Sequence, residues 1–101
     1  MSQATIVRYQ TTPERAEENE RCIKAVFAEL AETDPGKLRY AAFRLEDGVS
    51  FVHVAIREDD ENPLNMSSAF AAFQAGLRDR CVIPPAPAGA TLVGSYRMPV
   101  E

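Results

Sequence analysis

The sequence predicts an α+β fold in which a four-stranded antiparallel sheet carries two helices on one face. Short β-branched or aromatic segments alternate with two longer segments whose apolar residues recur at helical spacing, in the order β-α-β-β-α-β. The pair Asp47-Gly48 lies between two of the strand segments and is a strong hairpin signal. Because crossover connections are right-handed, this order gives a split βαβ sandwich with both helices on the same face of the sheet.

The chain has 101 residues, so we expect one domain over residues 1–101. Hydrophobic residues make up 46% and charged residues 26%, which excludes a disordered or collagen-like chain. A chain this short buries only a limited core. Burial against a second copy of the chain is therefore expected, with two-fold pairing as the simplest arrangement.

The first strand is predicted at Ala4–Gln10, which is rich in β-branched and aromatic residues. The segment Thr11–Glu14 then predicts a helix start, because either threonine can cap and proline fits the first turn. The apolar residues that follow at helical spacing are Ala16, Ile23, Val26, Phe27 and Leu30. Pro35 and Gly36 disfavour continuation, so the helix is expected to end just before them.

The central hairpin is predicted to join strands Lys37–Leu45 and Val49–Arg57 through a two-residue turn at Asp47-Gly48. In this register one face is nearly all apolar: Ala41, Phe43, Leu45, Val52, Val54 and Ile56. The other face is mixed: Leu38, Tyr40, Ala42, Arg44, Phe51, His53, Ala55 and Arg57. The apolar face is the better partner for the helices, so we expect the mixed face to be uncovered and to bury itself against the second copy.

In the second half of the chain an acidic loop, Glu58–Pro63, precedes a helix predicted at Met66–Arg80. The apolar stripe expected on that helix consists of Met66, Phe70, Phe73 and Leu77. Val82–Gly89 is rich in proline and is predicted to be an extended, polyproline-like connection. The last strand is predicted at Thr91–Met98, with Gly94 inside it and Pro99 ending it.

Charge and cysteine content exclude several classes of function. Eleven Lys and Arg are scattered among fifteen Asp and Glu, which gives a net charge of −4. The basic residues form no continuous stripe, so nucleic-acid binding is disfavoured. No apolar run has the length of a membrane span, and the first residues lack the pattern of a signal peptide, so a cytoplasmic location is expected.

Cofactor and metal sites are not indicated by the sequence. Cys22 and Cys81 form no CxxC motif and are expected to be reduced. With a single histidine, His53, the chain cannot assemble the usual Cys/His zinc site. The glycines form neither a dinucleotide-binding nor a phosphate-binding motif. We therefore expect no bound cofactor and no metal.

The mixed face of the hairpin carries the candidate catalytic residues Tyr40, Arg44 and His53. The register places His53 opposite the small Ala42 and diagonal to the other two candidates, within reach of long side chains. Such a trio fits a phenolic or enolic substrate, with His53 as base, Arg44 for the oxyanion and Tyr40 to orient. The alternative is that all three are satisfied polar groups in the contact between two sheets.

The element order, together with four segments, resembles the dimeric α+β barrel superfamily. The segments are Tyr40–Gly48 leading into Phe51–Val54, then Phe70–Gln74 and Gly94–Arg97. The likeness covers essentially the whole chain and is greatest to antibiotic-biosynthesis-monooxygenase-like members. It implies a ferredoxin-like subunit, a homodimer whose two sheets form a barrel, and a pocket between sheet and helices. The chain departs from the haem-degrading members, because it has no Trp and its histidine lies in a strand.

Two functions remain open from the sequence. The resemblance implies a cofactor-independent monooxygenase that acts on a small phenolic or polyketide-like substrate. The alternative is a non-catalytic dimeric module that binds a small ligand or has a structural role. The discriminating feature is a cavity of a few hundred Å³ that includes His53 in its wall, which the first function needs. A closed core with His53 at the dimer contact would contradict that function.

Overall fold

A computed structural model describes residues 3–58 and 62–97. In these ranges the chain forms four strands and two α-helices: β1 (Gln3–Thr11), α1 (Ala16–Thr33), β2 (Leu38–Arg44), β3 (Ser50–Arg57), α2 (Ser68–Arg80) and β4 (Cys81–Ala90). Single turns of 3-10 helix precede the two helices, at Pro13–Arg15 and Pro63–Met66. The sheet order is β2-β3-β1-β4, and all neighbouring strands are antiparallel. The expected ferredoxin-like α+β fold is confirmed.

Helix α1 follows its sequence pattern closely. Its buried residues Ala16, Asn19, Ile23 and Val26 recur at helical spacing and face the sheet. The helix ends where Asp34 adopts the left-handed conformation and its backbone N–H donates to the carbonyl of Leu30. Pro35 and Gly36 follow at once, so the expected end of the helix is confirmed.

The hairpin between β2 and β3 has the register that the Asp47-Gly48 turn predicted. Ala42 pairs with His53, and the N–H of Leu45 donates to the carbonyl of Ser50 across the turn. Gly48 has a φ of 79°, a conformation that a residue with a side chain adopts at a cost. The Asp47 carboxylate accepts hydrogen bonds from the backbone N–H groups of Val49 and Ser50, which fixes the turn.

The helices cover the mixed face of the sheet, so the expectation that they cover the apolar face was wrong. The core cluster between sheet and helices contains Tyr9, Ile23, Val26, Phe51, Leu64, Phe73 and Leu77. Tyr40 and Ala42 pack against it, whereas Ile6 and Phe43 are 40% and 47% exposed. The reason is that Tyr and His bury readily once their polar atoms are paired, and no buried side-chain polar atom in the described ranges lacks a partner.

The last strand lies earlier in the chain than predicted. Cys81–Ala90 pairs with β1 as the edge strand β4, whereas Thr91–Arg97 contains no strand. An edge strand hydrogen-bonds on one side only, which tolerates the prolines that indicated a polyproline-like connection. The predicted end of the strand at Met98 and Pro99 lies outside the described residues.

Helix α2 begins later than its apolar pattern suggested. Ser67 is the N-cap and its hydroxyl accepts from the N–H of Phe70, so Met66 precedes the helix and does not share its spacing. Met66 is 89% exposed, which corrects its expected place in the core. Phe73 and Leu77 are buried as predicted. Half of the acidic loop, at 59–61, lies outside the described residues.

Candidate functional site

A cavity of about 560 Å³ lies between the sheet and α2, on the face that the helices cover. Side chains from all four strands and from α2 line it. Tyr9, Tyr40 and His53 of the sheet belong to its wall, and Phe70 and Phe73 of the helix add aromatic residues. The cavity has the size of a small-molecule site, and its wall combines apolar residues with polar ones such as Gln74 and Arg78.

His53 and Tyr40 come together in the wall of this cavity. The Tyr40 hydroxyl lies 2.6 Å from Nδ1 of His53. The ring of Tyr40 stacks on Phe27 of α1, with the ring centroids 5.0 Å apart, and the imidazole stacks on Phe73 of α2 at 5.4 Å. Each side chain of the pair is therefore held by aromatic packing against a helix.

The second nitrogen of His53 is also engaged. Nε2 lies 2.8 Å from the hydroxyl of Tyr9, whose ring is buried and stacks on Phe51. Asn19 of α1 donates from Nδ2 to the same hydroxyl over 2.9 Å. Arg80, at the end of α2, donates from Nε to Oδ1 of Asn19 over 3.0 Å. A continuous buried chain of hydrogen bonds therefore joins Arg80 to the cavity, and we call it the polar chain.

Burial favours the uncharged forms of His53, Tyr40 and Tyr9. It lowers the pKa of His53 to about 4 and raises the pKa of Tyr40 to about 12. It also raises the pKa of Tyr9, although the hydrogen bond from Asn19 acts in the opposite direction. The Arg80 guanidinium is 3% exposed, donates to the carbonyl of Phe73 and lies over its ring.

Arg44 does not join His53 and Tyr40. Its Nη1 lies 2.9 Å and 3.0 Å from the carboxylates of Glu17 and Glu20 on α1, and its Nε donates to the carbonyl of Gly48. Arg44 is absent from the lining of the cavity. The structure thus brings two of the three predicted site residues together and places the third at the hairpin end of the sheet.

Sequence reasoning missed Tyr9, Asn19 and Arg80. The first two carried a usable signal: Tyr9 belongs to a strand segment, and Asn19 has the helical spacing of the buried face of α1. Arg80 is the last residue of α2 and gave no such signal, because nothing in the sequence indicates that a terminal arginine points inward.

The described residues contain no group of three or more His, Cys, Asp or Glu side chains that could hold a metal ion. Cys22 and Cys81 are both free and half-buried. Within the described ranges, neither α1 nor α2 combines the length and the apolar composition that a membrane span needs.

Several solved structures share this architecture. Rv0793 from Mycobacterium tuberculosis superposes with a TM-score of 0.75 at 16% identity, covering 94% of this chain and 98% of its own. A candidate antibiotic biosynthesis monooxygenase from Nitrosomonas europaea gives 0.75 at 13% identity, covering 91% and 90%. A mutant of SnoaB, a cofactor-independent oxygenase from Streptomyces nogalater, gives 0.61 at 19% identity, covering 97% of both chains.

No family model matches the sequence, and no curated protein does. At these identities the structural matches establish the fold. The chain has the same ferredoxin-like α+β fold as these structures, which is the fold that the sequence predicted.

Proposed function

We propose that the chain is a cofactor-independent monooxygenase that oxidises a small phenolic or polyketide-like substrate in the cavity beneath α2. The observation that carries this proposal is the cavity of about 560 Å³ with His53 and Tyr40 in its wall. That volume lies within the usual range for small-molecule sites and suits a compact aromatic molecule. The shared fold with SnoaB supports the proposal at the level of architecture.

Substrate binding would use the aromatic walls and one hydroxyl. Phe70 and Phe73 offer apolar surface to a ring, while the Tyr40 hydroxyl is available for a hydrogen bond to the phenol or enol oxygen. His53 is a weak base because its pKa is about 4, so its part in the proposal is to hold Tyr40 in place. Arg44 has a structural role in the proposal, because it donates hydrogen bonds from the hairpin to two carboxylates of α1.

The reaction would use dioxygen as the only co-reactant. Solvent water takes the phenolic or enolic proton, which gives an electron-rich anion, and a hydrogen bond from Tyr40 stabilises that charge. Oxidation of a ring methylene to a carbonyl then breaks two C–H bonds and the O–O bond. One oxygen atom enters the substrate, and the other leaves as water with the two hydrogens. Electrons and atoms balance without a further reductant.

The proposal includes a homodimer. The outer face of the sheet, which no element of the described chain covers, carries Ile6, Phe43, Val52, Val54 and Ile56. An apolar face of this extent is unusual on a monomer, and a second copy is the simplest cover. In such a dimer the two cavities lie on the outer, helix-covered sides and remain accessible.

A non-catalytic module that binds a small ligand is the second candidate. Both ring nitrogens of His53 are occupied by tyrosine hydroxyls, so no free base faces the cavity. A pocket that only binds a ligand would have this character. Both functions place the ligand in the cavity beneath α2. Only the monooxygenase converts it to a product.

The deciding experiment is incubation with a panel of anthrone-like phenols in the presence of dioxygen, with oxygen uptake and product measured together. The wild type is expected to form the carbonyl product, and Tyr40→Phe is expected to lower turnover at least about tenfold through loss of one hydrogen bond to the anion. The exposed α1 residue Glu32 gives a control, since Glu32→Gln should retain full turnover. If the wild type forms no product with any member of the panel, the monooxygenase proposal is contradicted and the non-catalytic binding module is favoured.

A further inference from the structure

The hydrogen bonds of the polar chain all run from donor to acceptor in the same sense, from Arg80 to Tyr40. Arg80 sets this order because it can only donate. We propose that Arg80 and Asn19, neither of which lines the cavity, are positioning residues that set the tautomer of His53 and aim the Tyr40 hydroxyl proton into the cavity. The catalytic meaning of this order rests on the proposed function, whereas the order itself follows from counting donors and acceptors.

The order begins at the guanidinium. Arginine has donors and no acceptor, so the Asn19 atom that faces Nε of Arg80 at 3.0 Å must be the carbonyl oxygen. The amide nitrogen of Asn19 therefore points the other way, at the Tyr9 hydroxyl 2.9 Å away. This settles the orientation of the amide by chemistry, independently of how its two ends are assigned.

The hydroxyl of Tyr9 then determines which ring nitrogen of His53 carries the proton. The Tyr9 oxygen accepts from Asn19, so its own proton needs another acceptor, and among the described residues that acceptor is Nε2 of His53. Nε2 is then unprotonated. A neutral imidazole carries its one proton on the other nitrogen, so Nδ1–H donates to the Tyr40 oxygen over 2.6 Å. The opposite order would leave the fully buried Tyr9 hydroxyl proton without a partner, which native structures rarely retain.

The Tyr40 hydroxyl is left with its own proton, and Tyr40 lines the cavity. The cavity therefore presents a hydrogen-bond donor at this position. Its preferred ligand carries an acceptor oxygen there: a phenolate, an enolate or a ketone. Every bond in the polar chain points from the buried Arg80 cation towards the ligand, so each hydrogen bond polarises the next in the same sense.

The test uses the fact that His53 is the single histidine of the chain. Nitrogen-15 NMR of the ligand-free protein at pH 7 distinguishes a protonated from an unprotonated ring nitrogen. We expect Nδ1–H to exceed Nε2–H by more than about tenfold, given the cost of leaving the Tyr9 donor unpaired. A predominant Nε2–H form in the wild type would overturn the proposal.

Asn19→Asp is the informative variant because its size is nearly unchanged. A carboxylate accepts from both Arg80 and Tyr9, so the Tyr9 proton turns towards residue 19 and Nε2–H must donate to the Tyr9 oxygen. The tautomer is expected to invert. Tyr40→Phe is the matched control, since it leaves the Tyr9 proton in place and should keep Nε2 unprotonated.

If Asn19→Asp folds and His53 keeps its wild-type tautomer, the proposal that Arg80 and Asn19 set this tautomer is contradicted. If that variant does not fold, the wild-type spectrum still decides the order, and Tyr9→Phe should weaken the tautomer preference by removing the donor to Nε2. No substrate is needed. A failed tautomer prediction therefore leaves the oxygenase proposal standing, and a failed turnover assay leaves the hydrogen-bond order standing.

Discussion

His53 lies in an environment very different from that of an exposed imidazole. It is 5% exposed between Tyr9, Tyr40 and Phe73, and burial lowers its pKa to about 4. In the unfolded chain its pKa returns to about 6.5. The unfolded state therefore binds more protons between these two values, and the folded state loses stability as the pH falls through this window.

This linkage predicts a pH-dependent free energy of unfolding. From pH 7 to pH 4 the wild type should lose about 3 kcal/mol through His53 alone. His53→Gln, which does not titrate, should lose less over the same range, although it is less stable at pH 7. Urea denaturation of both proteins at several pH values gives the difference. Parallel pH profiles for the two proteins would show that His53 is not held neutral by the fold.

At the residue scale, the sequence predicted the His53–Ala42 pair because a tight turn fixes the register of both strands. It did not predict the rest of the polar chain beyond the His53–Tyr40 pair, because those three bonds join residues 44, 10 and 61 positions apart on different elements. Arg44 shares a strand face with Tyr40, and two carboxylates on α1 bind it at the other end of the sheet. Which charged group meets it depends on helix placement, which the register does not determine.

At the element scale, α2 is capped by a residue of α1. The Glu29 carboxylate accepts from the hydroxyls of Ser67 and Ser68 and from the N–H of Ala69, all at the start of α2. These bonds satisfy donors that a helix N-terminus leaves free, and a negative charge there is favourable. They also lower the pKa of Glu29, led by the Ser67 hydroxyl.

Glu29→Gln should therefore lower the melting temperature at pH 7. Because the pKa of Glu29 is lowered on folding, its contribution is present above the unfolded pKa and is lost as the pH falls through the folded one. The difference between wild type and variant should shrink in acid. Glu32→Gln, an exposed carboxylate on the same helix, is the control and should melt like the wild type. Equal effects of the two substitutions would contradict the capping role.

The sequence predicted an element boundary correctly where a local signal marks it. The prediction was wrong where pairing with another strand determines the boundary. The left-handed Asp34 before Pro35-Gly36 and the Asp47-Gly48 turn both follow local rules. β4 does not, because its prolines oppose a strand in isolation. Only pairing with β1 as an edge makes the extended segment Cys81–Ala90 a strand of the sheet. Tertiary context therefore determines where the final strand lies.

At the scale of the whole molecule, the uncovered sheet face predicts a homodimer. Light scattering at micromolar concentration should give about twice the chain mass of 11.1 kDa. Val54→Asp places a charge on this face and should shift the mass towards the monomer, whereas Glu32→Lys on the helix side should not. A wild-type mass near 11.1 kDa would refute the dimer.

The sequence specified the overall fold because strand and helix periodicities, turn chemistry and connection handedness all agreed. It did not determine which face meets the helices. Counting apolar residues favoured the face with Val52, Val54 and Ile56, while the observed core uses the face whose tyrosines and histidine satisfy one another. Side-chain pairing of that kind is a property of the assembled fold.

We expect the cavity beneath α2 to bind a small aromatic molecule through Tyr40. An anaerobic NMR titration with an anthrone-like phenol can detect this binding, because the ligand is not consumed. His53 and Val54 are adjacent on β3 and face opposite sides of the sheet, so they serve as paired reporters. We predict saturable shifts of the His53 ring resonances, with the Val54 methyl resonances unchanged. Shifts confined to Val54, or no saturable shift of His53 across the panel, would contradict the claim.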